Sequence, residues 1–182
     1  MADLTLTIEK LQERHPGLTV GVGESYTEAA CVSLAKYHTS PPVTFTVLHK
    51  FDSHNGSLNF TLPDTRTQNA HANEIDATEA GAYGASLAAV ESLSGLFAVR
   101  RAETLTGSDW YVAPKGKSFD DFEECIRLEV SGTGAGSSAE VLRRLEEKIV
   151  QTKKGQSNLP AIASVVGFKV LEIRVSPLEG MP

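Results

Sequence analysis

The chain has little sulfur and little indole: its 182 residues include two cysteines, two methionines and one tryptophan. Cys31 and Cys125 cannot make a disulfide framework, and neither sits in a CxxC pair. Reduced thiols in a cytoplasmic protein are the simplest expectation. No stretch approaches the ~18 consecutive apolar residues that a bilayer-crossing helix needs. The opening residues MADLTLTIEKLQERHPG lack the basic and apolar regions of a secretory leader, so no membrane partner is expected. HExxH and HxE…PCxxC are also missing, which leaves zinc hydrolase and deaminase chemistry without support.

A basic surplus is absent too. The chain carries 17 Lys and Arg against 23 Asp and Glu, for a net charge of −6. That balance argues against non-specific binding of nucleic acid by phosphate neutralisation. A local basic strip of Arg143, Arg144, Lys148, Lys153 and Lys154 is compatible with it.

At 41% hydrophobic and 22% charged, the chain has the composition of a globular protein long enough to bury a sizeable core. Leu4, Ile8 and Leu11 have helical spacing, which predicts a helix from Leu4 to Arg14. Leu18 to Val22 reads as a short strand, followed by a helix capped at Ser25 or Thr27 and running to about His38. Val43 to Phe51 is a β-branched, aromatic strand. Asn55-Gly56 is the turn signal before a return strand, Leu58 to Leu62. Residues 63–73 read as polar loop.

From residue 74 onward the pattern is helix, three strands, helix, strand. Asp76 and Glu79 have capping-box spacing at the start of a helix that ends at Gly95. Strands follow at Leu96–Arg101, Asp109–Ala113 and Cys125–Ser131. A helix spans about Ala139 to Lys153, opened by Ser137 and Glu140 in the same capping spacing. Residues Ala161 to Val175 read as one long strand bent at Gly167. The fold class is therefore α/β. A mixed central sheet flanked by helices forms an αβββαβ core over residues 74–182, with a helix and β-hairpin extension over residues 1–73, in one continuous globular unit.

The placement of the acids suggests chemistry. Asp109 opens the second strand of the core, and Glu129 lies near the end of the third. If those strands pair, both carboxylates can project from one face at one edge of the sheet. Two carboxylates there can hold Mg²⁺ or Mn²⁺, with Glu79 as a third ligand from the helix. Such a metal suits phosphodiester hydrolysis.

This order of elements, with Asp109 followed by Glu129-Val130-Ser131, resembles the PD-(D/E)xK nuclease superfamily over roughly Asp76 to Val175. The resemblance implies that Asp109, Glu129 and, as in some branches, Glu79 bind metal, and that nucleic acid is the partner. Two departures stand out. Ser108, not proline, precedes Asp109, and Ser131 occupies the position of the family lysine. Members that lack this lysine move its role to the following helix, which makes Lys148 and Gln151 the catalytic candidates here. If neither reaches the site, the fold is a non-catalytic module that binds a protein partner.

Plainer roles compete with each assignment. Asp109 after Gly107-Ser108 suits a turn. Glu129 could pair with Arg127, Arg100 or Arg101, and Glu79 could serve only the helix N-terminus. The glycine-rich loop 132–138 lacks the Walker lysine and reads as a flexible connection. His49, Asp52 and His54 flank a hairpin, where polar residues are common.

Overall fold

The computed structural model describes residues 3–134 and 136–177. Eight strands form one mixed sheet: β1 (Asp3–Leu6), β2 (Val43–His49), β3 (Asp52–Leu58), β4 (Leu96–Arg101), β5 (Trp110–Pro114), β6 (Ile126–Thr133), β7 (Ala161–Gly167) and β8 (Glu172–Pro177). Their order across the sheet is β1-β3-β2-β8-β7-β6-β5-β4. The helices are α1 (Leu11–Arg14), α2 (Val20–Ala35), α3 (Thr65–Ala70), α4 (Glu74–Ser94) and α5 (Ser138–Lys153), with a single 3₁₀ turn at Phe122–Glu124. Strands β4, β5 and β6 form an antiparallel meander. Helix α5 then carries the chain across to β7, which is parallel to β6. No helix among the described residues is long and apolar enough to cross a membrane.

Helix α4 lies against the sheet and is buried nearly all round, from Gly81 to Val90. Its run of alanines and glycines explains this, because small residues let two partners approach at once. A Cβ on Gly81 would come within 2.9 Å of the α2 backbone at Ala29 and Ala30, and one on Gly132 within 2.3 Å of the Thr78 carbonyl of α4. One apolar cluster joins α2 (Ala30, Leu34), α4 (Leu87, Val90) and the strands (Phe45, Leu58, Leu128, Ile173). Helix α5 covers the opposite face through Val141 and Leu145 on Ala163 and Val165. Ser137 does cap α5 as its spacing to Glu140 suggests: Glu140 N–H donates to Ser137 Oγ at 3.4 Å, and the Ser137 hydroxyl donates to Glu140 Oε2 at 2.9 Å.

Several sequence expectations are corrected. Leu4 to Arg14 is not one helix. Leu4, Leu6 and Ile8 alternate with threonines, and the first part pairs with β3 as an edge strand. The strand expected at Leu18–Val22 is the start of α2, because the Thr19 hydroxyl accepts the Val22 N–H and nucleates the helix there. Asn55-Gly56 is not the hairpin turn. The chain reverses between His49 and Asp52, with Lys50 at φ 56°, and Gly56 lies inside β3 with Leu6 and Val47 packed over it. Residues 63–73 contain α3, capped by Asp64 and burying none of its residues. Helix α4 is capped by Asn73 rather than by Asp76, so Glu79 lies inside it. The last segment is an antiparallel hairpin, β7–β8, rather than one bent strand.

Candidate functional site

The register of β5 on β6 pairs Trp110 with Leu128 and Tyr111 with Arg127, so the next step out places Asp109 opposite Glu129. Alternation sends Trp110, Leu128 and Val130 into the main core, and Arg127, Glu129 and Ser131 to the face under α5. Asp109 stands where β5 begins, beside the middle of β6. It is held from three sides. The Val130 N–H donates to Oδ2 at 2.8 Å, the Tyr83 hydroxyl bonds Oδ1 at 2.9 Å, and Arg101 Nη2 lies 3.3 Å from Oδ1.

Glu129 is only 3% exposed and accepts from Lys148 Nζ at 2.7 Å. Its pKa is nonetheless pushed up to about 7, first by burial and then by the charge of Asp109. Lys148 pulls it the other way, and a hydrogen bond between the two carboxyl groups adds to the rise. The ion pair alone would hold Glu129 ionised, so burial and the second carboxylate outweigh one cation here. Glu79 reaches the pair only through Tyr83, whose hydroxyl also lies 2.8 Å from Glu79 Oε1. That phenol has one proton and two carboxylate neighbours. Burial, followed by the charge of Asp109, drives its pKa far upward, so it remains a neutral donor.

These groups open onto one cavity of about 910 Å³. Glu79, Asp109, Glu129, Lys148 and Gln151 all line it, so the residues singled out from the sequence come together. Their roles are less uniform. Among the described residues, no three His, Cys, Asp or Glu side chains are grouped to hold a metal, so the ligands on offer are the Asp109–Glu129 pair, with Glu79 linked through a hydroxyl. Gln151 accepts from Lys148 Nζ at 3.2 Å. Glu129 pairs with Lys148, and Arg101 with Asp109, while Arg127 instead donates to the Leu159, Thr106 and Thr152 carbonyls. His49 is spent on the Val175 carbonyl.

Comparisons with protein-family models, with curated proteins and with solved structures find no match to this chain.

Three contributors escaped the sequence reading. Arg144 Nε donates to Ser131 Oγ at 2.6 Å, bringing a guanidinium to the strand position that carries serine. Arg144, Lys148 and Gln151 are spaced i, i+4, i+7, so their shared helix face was legible in advance. Tyr83 lies four residues after Glu79 on α4, also on one face, but its apolar ring suggested core alone. Arg101 stacks over the rings of Tyr83 at 4.5 Å and Trp110 at 5.3 Å, a placement that depends on the β4–β5 pairing.

Proposed function

We propose that this chain is a divalent-metal-dependent nucleic-acid phosphodiester hydrolase of the PD-(D/E)xK kind. The observation that carries the reading is the meeting of Asp109 and Glu129, drawn from neighbouring strands, in a cavity that Arg144 and Lys148 also line. The donor set fits Mg²⁺ or Mn²⁺. Two carboxyl groups are hard oxygen ligands, and the raised pKa of Glu129 marks a site short of positive charge. Such a cation supplies charge neutralisation on a phosphate and a water more acidic than bulk.

The chain's own groups have separable tasks in this reading. Asp109 is fixed by Val130 N–H, Tyr83 and Arg101, so its carboxylate needs no reorganisation to bind. Glu129, in its ionised form, would hold the cation together with Asp109. Arg144 and Lys148 provide positive charge for phosphate oxygens, and Gln151 holds the Lys148 ammonium. A local cationic wall of this sort serves a protein whose net charge is −6.

One observation favours a second reading, a non-catalytic protein-binding module. Each central acid already has a protein cation within ion-pair distance, Lys148 at 2.7 Å from Glu129 and Arg101 at 3.3 Å from Asp109. Incubation with single- and double-stranded DNA and RNA, with Mg²⁺ or Mn²⁺ and with chelator, separates the two. Metal-dependent cleavage lost in Asp109→Ala and Glu129→Ala is the expected result. Absence of cleavage with every substrate and metal, in a protein that melts cooperatively, would rule out the hydrolase.

A further inference from the structure

A second cavity, of about 360 Å³, adjoins the first and shares Glu74, Thr78 and Gly134 with it. It lies between the end of α2, helix α3 and the start of α4. Its wall carries Tyr37, together with Gln68 and His71 from α3 and its carboxyl-terminal cap. Two ammonium groups flank the tyrosine ring: Lys36 Nζ at 5.5 Å and Lys169 Nζ at 5.9 Å from its centroid. Lys36 also pairs with Glu74 on the shared rim. The Tyr37 hydroxyl reaches to Gly134, another of the shared residues, since a Cβ there would lie 2.4 Å from it.

An aromatic wall, polar edges and flanking cations next to a phosphate-directed cleft have a common use. Bases stack on aromatic rings irrespective of sequence, and lysines hold the adjoining phosphate. We infer that this second cavity is a nucleobase subsite, which takes one unstacked base of the strand whose backbone lies in the Asp109–Glu129 cleft. The inference rests on the hydrolase reading and refines its substrate: an unpaired or extruded nucleotide, in preference to a fully stacked duplex. Lys36 exchanges its Glu74 partner for the nucleotide phosphate, and Gln68 and His71 meet the base edge.

The test is binding of a labelled single-stranded oligonucleotide, followed by anisotropy with Ca²⁺ in place of Mg²⁺. It is repeated with an abasic nucleotide stepped through each position. Wild type should lose roughly tenfold in affinity at one position, the size of one stacked base. Tyr37→Ala should bind intact and abasic strands equally, and Tyr37→Phe should restore the difference. Tyr37 also touches the core, so Ala72→Trp, which fills the cavity from an exposed position, provides a second route. It should erase the abasic effect while the melting temperature is unchanged. If no abasic position costs affinity, or if Ala72→Trp leaves the cost intact, the subsite is refuted, although Asp109-dependent cleavage would keep the hydrolase reading alive. If neither intact strand binding nor cleavage occurs, both fall together.

Discussion

Strands β6 and β7 are buried on both faces, whereas β2 and β3 bury one face and leave the other to solvent. The difference follows from the helices. Helices α4 and α5 sandwich β6 and β7, and α5 packs on β6, β7 and β8. The two-sided half also holds every acid of the candidate site. Exclusion of water from both sides is the first cause of the raised pKa of Glu129. On the open half, acids such as Asp3 and Asp52 lie in solvent-facing positions. The comparison teaches that double coverage here sets the charge state of a carboxyl group as well as the fold.

The largest effect should come from the doubly covered half. Asp109→Ala is expected to lower metal-dependent cleavage by about 100-fold or more, since it removes a proposed ligand, and to lower the melting temperature as well, since the Val130 N–H loses its acceptor. Equal cleavage by the variant and wild type, measured as initial rates on one oligonucleotide, would detach the site from the chemistry.

Next in size is a pH effect beside β4, at the edge of the sheet beyond β5. His15 precedes α2, yet its ring accepts the Ala98 N–H of β4 at 2.9 Å and contacts Glu91 of α4 at 3.2 Å. Burial, partly opposed by Glu91, lowers its pKa from 6.5 to about 4. The unfolded chain therefore binds this proton first. Stability is full above pH 6.5 and is lost as pH falls toward 4, by on the order of 3 kcal/mol. Urea melts at pH 7 and pH 4.5 should show this slope, and His15→Gln should flatten it. An unchanged slope in that variant would assign the acid sensitivity elsewhere.

Glu129 has the opposite sign. Its folded pKa of about 7 lies above the ordinary 4.5, so its contribution is whole below pH 4.5 and is lost as pH rises through 7. Glu129→Gln should stabilise the metal-free protein at pH 8 by about 2 kcal/mol, while abolishing cleavage. A Glu129→Gln protein that melts lower than wild type at pH 8 would mean that the Lys148 pair dominates after all.

The smallest effects compare the halves directly. Ser86 and Ser164 hydroxyls bond each other at 2.8 Å in a fully buried contact between α4 and β7. Ser164→Ala strands its partner and should cost about 1–2 kcal/mol. Thr46→Ala, on the open face of β2, should cost less than about 0.5 kcal/mol. Similar costs for the two, in chemical denaturation, would erase the distinction between a covered and an open half.

Elements whose local signals agree were readable in the sequence. The Ser137 cap of α5, the Gly95 stop and the alternation through Arg127, Leu128, Glu129 and Val130 each rest on contacts within a few residues. The amino-terminal third was misread for the converse reason. Its apolar residues fit two periods at once, and pairing partners 50 residues away chose between them: Leu4 faces Gly56 in β1–β3. At the site, the identities of Asp109 and Glu129 were visible, as were Lys148 and Gln151 on the following helix. That Tyr83 and Arg101 would clamp Asp109 was not, because neither side chain is a sequence neighbour of it.

Local chemistry along the chain was enough to specify an α/β protein with three successive strands, a capped helix after them and an acid on each of the second and third strands. The burial that lifts Glu129, and the wall of Arg144 and Lys148 facing it, came from packing α5 over β6. A pKa depends on which charges and how much water surround a group in space, and spatial proximity between residues 109, 129 and 148 exists only once the sheet and its covering helices have assembled.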